Sequence, residues 1–281
     1  MKLKEKLVTL KHRSKALTYL WYMFRKPLFS YRNKKIMYCS KKRELGFLDK
    51  RYEAIKNLKG IYNNKRCFIV ATGPSLTLND LNLLKNEVTF GMNSVCKLFD
   101  KTDWRPTYYG IQDCYVYNSM QKDIEHWYGK NASNVFIADR ICDKYIIHDN
   151  YIQFPLNSVY HENEMEIDNY FSRFSDDAYA IVYDGYSITY SLIQIAIYMG
   201  FTEIYLTGAD CSYKKGVNNH VVESGFVDKN EEKNHDKMIT GYKAAKEYAD
   251  SNGIKIINCT RGGMLEVFPR MSLEEVLGKN V

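Results

Sequence analysis

An apolar run that breaks abruptly into turn residues constrains this chain more than any other stretch: Arg66-Cys-Phe-Ile-Val-Ala-Thr-Gly-Pro-Ser75. Residues 67–70 are apolar or β-favouring and end on turn formers, which predicts a buried strand delivering a loop. Thr72 opens that loop. Gly73 permits close backbone approach to a ligand, Pro74 fixes the turn, and Ser75 is placed to cap a helix over 76–84 whose first N–H groups would face an anion. The stretch has neither the spacing and lysine of a P-loop nor Gly-x-Gly-x-x-Gly, so it matches no standard nucleotide fingerprint. Taken alone it reads equally as an ordinary turn.

The same design recurs downstream. Residues 88–93 predict a short strand ending on Asn93, and 106–113 an extended run closing on Asp113; 135–138 and 151–154 are further short strands. The clearest unit follows Asp184-Gly-Tyr-Ser187. An apolar helix over 188–199 stops at Gly200, a strand runs to Gly208, and a polar loop carries Asp210 and Tyr213. A last strand over 254–257 runs into Asn258-Cys-Thr-Arg261-Gly-Gly263. Helix, short connection, strand and polar loop is half of a parallel α/β unit, and such sheets bind ligands at the carboxyl ends of their strands. The expected fold is therefore α/β, a Rossmann-like, mainly parallel sheet flanked by helices. The strand-end residues are expected to converge on one crevice.

Charge divides the chain. Residues 1–43 hold fourteen Lys or Arg against one acid, Glu5, so a chain of net charge +7 has +13 in an arm and −6 over residues 44–281. We read 1–50 as a basic amphipathic helical arm and 51–281 as the α/β domain, with a lid loop around 211–235. In the arm Leu3, Leu7, Leu10, Leu17, Leu20 and Trp21 recur at near-helical spacing between cations. Its apolar segment is too short to span a bilayer. Residues 1–35 are thus expected either to lie on an anionic membrane surface or to pack on the body or a partner subunit. A nucleic-acid partner is not expected, because the rest of the chain is acidic and carries no recognition motif. Seven scattered cysteines with no Cys-x-x-Cys pair argue against a zinc site and for reduced thiols in a cytoplasmic protein. Twenty-four tyrosines suit a surface that contacts sugars or bases, and equally an AT-biased genome.

The segments C-F-I-V-A-T-G-P-S-L, T-F-G-M-N93, W-R-P-T-Y-Y-G-I-Q-D113, I-Y-L-T-G-A-D210-C-S-Y213 and N258-C-T-R-G-G-M-L-E-V-F-P-R270 together resemble the MptE-like family. That family includes flagellin-modifying transferases, surface-polysaccharide proteins and an archaeal pterin diphosphokinase. The first and fourth segments are also similar to the bacterial CMP-sialic-acid sialyltransferases, which implies a sialyltransferase-like variant of the fold. This second resemblance implies a metal-independent transfer in which loop N–H groups and tyrosine hydroxyls hold the donor phosphate, an asparagine contacts the nucleoside, and a histidine deprotonates the acceptor.

Carried over residue by residue, it places Thr72, Gly73, Pro74, Ser75, Asn93, Ser187, Gly208 and Tyr213 at the donor. His220, in the loop after Tyr213, is the expected base, and His235 is its competitor. Asp210 either orders the site loop or binds sugar hydroxyls. Arg261 either binds a phosphate or carboxylate or salt-bridges Glu266. Asp113 belongs to the MptE-like series and has no sialyltransferase counterpart.

The expected function is a glycosyltransferase of cell-surface polysaccharide synthesis. Its donor would be a CMP-linked acidic sugar and its acceptor a glycan or lipid-linked precursor on the inner face of the membrane, with no cofactor and a homo-oligomer by family habit. The alternatives are a Mg-dependent pyrophosphate transfer from ATP to a pterin-like alcohol, with Asp113 and Asp210 holding the metal, and a non-catalytic glycan assembly protein.

Overall fold

The computed structural model describes residues 14–213, 219–225 and 233–278. Leu3, Leu7 and Leu10 of the arm, and much of the expected lid, lie outside these residues. Seven strands form one all-parallel sheet: β1 (Lys65–Val70), β2 (Thr89–Met92), β3 (Tyr108–Ile111), β4 (Val135–Ala138), β5 (Ile152–Phe154), β8 (Phe201–Thr207) and β9 (Lys255–Asn258). Their spatial order is β5-β4-β3-β2-β1-β8-β9. A small parallel pair, β6 (Leu156–Asn157) and β7 (Val182–Tyr183), stands apart from the sheet and is not predicted by the sequence.

The strands read as continuous apolar runs because both faces of a parallel sheet are covered. Residues 67 to 70 are wholly inaccessible to solvent. Their alternation divides them between two cores, Cys67 and Ile69 on one face and Phe68 and Val70 on the other. Each such side chain contributes roughly 1.5–3 kcal/mol by its burial.

Helices complete the two layers: α2 (Glu53–Lys56), α3 (Leu78–Leu83), α4 (Cys114–Trp127), α5 (Asp139–Cys142), α6 (Val159–Glu162), α7 (Ile188–Tyr198), α8 (Asn234–Ser251) and α9 (Leu273–Val276). Of these, α7 is buried nearly all round, polar residues included. Gln194 is accommodated because its carboxamide accepts from the Ser175 and Tyr183 N–H groups and donates to the Tyr183 carbonyl. Running back from the small β6–β7 pair to β8, α7 presents its N-terminus at the carboxyl edge of the sheet.

The arm is one long helix, α1 (Lys15–Glu44), capped at its start by the Ser14 side chain. One face packs on α6 and the adjoining 3₁₀ turn Glu164–Ile167. Tyr22, Phe29, Ser40 and Arg43 are buried there, Arg43 donates two hydrogen bonds to the Ala180 carbonyl, and Arg25 pairs with Glu166 at 3.2 Å. The expectation of a helix docked on the body is met along this face. Among the described residues no helix is long and apolar enough to cross a membrane.

Candidate functional site

The chain enters the sheet at its middle. It builds outward through β2, β3, β4 and β5, then returns to lay β8 on the other flank of β1. The strand order therefore reverses between β1 and β8, and that switch point is where an open α/β sheet leaves a crevice at its carboxyl edge. A small cleft of about 60 Å³ lies there. Its walls come from the loop after β1 (Ala71, Thr72, Gly73), from Asn93 after β2, from Ser187–Thr189 at the start of α7, from 208–213 after β8, from Asn219 and His220, and from Met238 and Tyr242 on α8. Eight of the expected site residues thus meet: Thr72, Gly73, Asn93, Ser187, Gly208, Asp210, Tyr213 and His220. Pro74, Ser75, Asp113 and Arg261 are not in its lining.

The β1 and β8 loops cross at van der Waals distance, and this governs Gly73 and Gly208. A Cβ on Gly73 would lie 2.0 Å from Asp210 Oδ2 and 2.5 Å from the Gly208 carbonyl. Gly208 has φ +66° and would meet the Ala71 carbonyl at 2.7 Å. The close approach that requires Gly73 is thus to the neighbouring loop. Its N–H is spent there too, donating to the Gly208 carbonyl at 2.7 Å.

Ser75 also departs from expectation. Its hydroxyl donates to Asp210 Oδ2 at 2.7 Å, while Thr77 caps α3 through a reciprocal capping box with Asp80. The Gly73, Ser75 and Leu76 N–H groups are taken by the Gly208 carbonyl, the Asp210 carboxylate and the Gly73 carbonyl, so the loop does not offer the expected cradle of free N–H groups. The helix start that lines the cleft is instead that of α7, where Ser187 accepts from the Thr189 N–H at 3.2 Å. An eleven-residue helix directs its positive dipole end at whatever occupies the cleft.

Asp210 joins three strand ends. Its carboxylate holds Ser75, and its carbonyl accepts from the Met264 N–H in the loop after β9. Of its two readings, ordering of the site loops is directly visible.

Arg261 is not bridged to Glu266, which instead pairs with Arg270 at 2.8 Å. Its guanidinium grips the buried Asp80 carboxylate through both nitrogens and reaches the Ser75 carbonyl at 3.2 Å, clamping the β9 loop onto the β1 loop. Arg261→Ala is expected to lower the unfolding free energy by about 2 kcal/mol, since Asp80 keeps its Thr77 bonds but loses a charged partner. Urea denaturation checks this, and a change under about 0.5 kcal/mol would show that solvent replaces the clamp.

Asp113 caps α4, accepting from the Tyr115 and Val116 N–H groups at 2.7 and 3.0 Å. Among the described residues no three His, Cys, Asp or Glu side chains cluster as a metal site.

Asn93 adopts φ +45°, and its carbonyl accepts from the buried Tyr109 hydroxyl at 2.6 Å. That bond fixes the backbone and leaves the carboxamide along the cleft wall. His220 places Nδ1 3.4 Å from the Thr72 hydroxyl, with its ring edge-on to Tyr213. The segment carrying it is tied across the sheet edge. The Val221 N–H donates to the Thr72 carbonyl at 2.8 Å, the Ser94 hydroxyl to the Val222 carbonyl at 2.6 Å, and Lys97 to the Glu223 carbonyl at 3.1 Å.

His235 stands one layer back. Its Nδ1 lies 2.8 Å from the Cys211 carbonyl, and it lines a separate open groove of about 710 Å³ with Lys243, Met264 and Glu266. Burial, reinforced by the Asp210 charge, pushes the Cys211 thiol up to about 12, so this cleft cysteine is held as a thiol.

Tyr242 and Met238 line the cleft without being singled out by the sequence. Their three-to-four-residue spacing marks a packed helix face, and nothing local says that this face meets Ser187. Burial pushes the Tyr242 phenol upward against hydrogen bonds from Thr189 and Ser187, so it stays protonated. Beyond α7, Asp184 accepts from Gln112 and lies 3.5 Å from Nε2 of the fully buried His161, which stacks on Tyr186. Burial pushes the Asp184 carboxyl up, but His161 and Arg140 outweigh it and hold the group below the usual carboxylate range.

A parallel doubly wound sheet with a cleft at its switch point defines a Rossmann-like α/β protein. The chain belongs to the MptE-like family, described as 6-hydroxymethylpterin diphosphokinase MptE-like, whose model matches residues 42–216. No curated protein matches it.

Among solved structures it is similar to the MAf glycosyltransferase of Magnetospirillum magneticum AMB-1, at 16% identity and a TM-score of 0.47, over 79% of this chain and 38% of that one. It is also similar to the sialyltransferase CstII of Campylobacter jejuni, solved in complex with a substrate analogue, cytidine-5'-monophosphate, at 15% identity and a TM-score of 0.36, over 75% and 86% of the two chains. The chain thus spans about two-fifths of the MAf protein.

Proposed function

We propose that the chain is a glycosyltransferase of cell-surface polysaccharide assembly, transferring a CMP-linked acidic sugar to a glycan or lipid-linked acceptor, with His220 as general base and no metal in the transfer step. The observation that carries this reading is the convergence of the α7 N-terminus, Asn93, Tyr213 and His220 on the switch-point cleft. The donor phosphate is assigned to the α7 N-terminus, where the leaving charge gains the helix dipole and the Tyr213 hydroxyl as stabilisers. Asn93 is assigned to the nucleoside. A cleft of about 60 Å³ is far below the several hundred Å³ of a ligand pocket, so donor binding requires the 219–225 segment to lift from Thr72 and Ser94.

The base needs a ring nitrogen with a lone pair. At His220 the Thr72 hydroxyl can accept from Nδ1–H, which leaves the lone pair on Nε2, or donate to Nδ1, which does not. The Cys211 carbonyl can only accept, so a neutral His235 carries its proton on Nδ1 and its lone pair on Nε2. That fixed tautomer supports His235 as the second reading, with the acceptor entering along its groove.

Differential scanning with CMP, CDP, UDP, GDP and ATP, each with Mg²⁺ or EDTA, tests the donor assignment. A ligand at one hundred times its Kd adds about 2.7 kcal/mol, a shift of several degrees for a chain this long. Stabilisation by CMP or CDP that survives EDTA is the expected result. Stabilisation by ATP only with Mg²⁺ would overturn the proposal in favour of pyrophosphate transfer, and would require Asp113 and Asp210 to leave their present hydrogen bonds.

A further inference from the structure

The face of α1 opposite its packed side carries an apolar stripe, interrupted in its second half by Lys35 and Lys42. Leu17, Phe24, Tyr31, Tyr38 and Leu45, the last being the C-cap residue, are spaced seven apart, with Leu20 and Leu28 filling between them, and all seven are exposed. Phe24 is 83% accessible and Tyr31 69%. At 100° per residue this stripe lies about half a turn from Tyr22, Phe29 and Ser40, which pack on the body, so docking of the helix leaves it entirely to solvent. From Leu17 to Tyr38 it extends for about 32 Å. A row of seven large apolar side chains on one exposed ridge is beyond the scattered singles normal on a soluble surface.

Charge decides what covers it. The same thirty-residue helix holds nine Lys or Arg and a single acid, Glu44, while the chain from residue 44 onward is net acidic. A second copy docked stripe to stripe would bring two strongly cationic helices together, which like-charge repulsion disfavours. A nucleic acid would satisfy the cations but leave the aromatics and leucines in water. An anionic bilayer surface satisfies both, because the apolar ridge enters the acyl boundary while the flanking lysines and arginines stay among phosphate headgroups.

We infer that α1 is an in-plane membrane anchor, holding the body against an anionic lipid surface through the Leu17 to Leu45 ridge. The anchor is independent of the reaction proposed above and of the cleft residues.

The test is co-sedimentation of the full chain with vesicles of phosphatidylcholine alone or mixed with phosphatidylglycerol, at low and high salt. The comparison variant is Leu20→Asn, Phe24→Ser, Tyr31→Ser, all at exposed positions and so expected to leave the melting temperature unchanged. Binding is expected only to the phosphatidylglycerol vesicles, to weaken as salt screens the headgroups, and to fall at least about tenfold in the triple variant as buried apolar area is lost. Equal binding to neutral vesicles, absence of binding, or a triple variant that binds as wild type would each overturn the inference. A homodimer seen by light scattering and dissociated by the triple variant would overturn it in favour of a second copy.

Discussion

His220→Ala is expected to slow sugar transfer about 10²–10⁴-fold, the range a positioned general base supplies, while the CMP-induced stabilisation of the folded protein stays within error of wild type. The two readouts separate chemistry from binding. His220 touches Thr72 and neighbours Tyr213, and the segment bearing it is held by three backbone hydrogen bonds that do not involve the imidazole. Losing the ring should therefore spare the loop. His235→Ala is the paired measurement. If His220 is the base, the His235 variant loses less than about tenfold. If instead the His235 variant carries the 10²–10⁴-fold loss and His220→Ala does not, the base is the histidine whose tautomer Cys211 fixes. A loss of CMP stabilisation in His220→Ala would mark it as a donor-binding residue and remove it from the proton-transfer step.

Gly73→Ala is expected to destabilise the fold by about 3 kcal/mol or more, because one added carbon would sit 2.0 Å from the Asp210 carboxylate and 2.5 Å from the Gly208 carbonyl. Either the β1 and β8 loops separate, breaking the Gly73 to Gly208 and Ser75 to Asp210 hydrogen bonds, or β1 shifts in the sheet. Thermal unfolding should fall by roughly 5 °C or more for a chain of this size, and CMP stabilisation should be lost with it.

The contrast is Gly253→Ala. That glycine has φ +68° and nothing within 4 Å of the built Cβ, so only backbone strain of about 1 kcal/mol is expected. Equal losses at the two glycines would show that the loops relax freely around the new methyl. They would also show that the crossing of β1 and β8 is not what demands a glycine at position 73.

Much of the architecture is legible in the sequence because a parallel sheet writes its strands as bounded apolar runs. The reading of 135–138 coincides with β4, and the helix-strand unit over 188–207 appears as α7 and β8, with Ser187 as cap and Gly200 as the turn. Strand ends are equally readable, since apolar runs stop where the chain leaves the sheet. For that reason Thr72, Gly73, Asn93, Gly208, Asp210 and Tyr213 reach one cleft. The pair β6–β7 is missed because two-residue strands carry no periodicity. Composition leaves the tyrosines open between a surface that contacts sugars or bases and an AT-biased genome, and burial can be read only from the fold. Tyr109, Tyr190, Tyr198 and Tyr242 are core residues, and Tyr190 and Tyr198 donate their hydroxyls to the Arg173 and Lys56 carbonyls.

Residue order fixes the local states: which runs become strands, where each strand stops, and that an acidic α/β body carries a cationic helix. These follow from apolar periodicity and turn chemistry, which act over a few residues. Which side chains meet is settled by packing between elements. Ser75 abandons helix capping for Asp210, Arg261 takes Asp80 while Glu266 takes Arg270, and Asp113 turns to its own helix. The helix that starts in the cleft is α7, not the one that follows the Thr-Gly-Pro-Ser loop. The Ser75–Asp210 and Arg261–Asp80 contacts depend on the reversal of strand order between β1 and β8, which brings segments more than a hundred residues apart to hydrogen-bond distance. No local pattern encodes that distance.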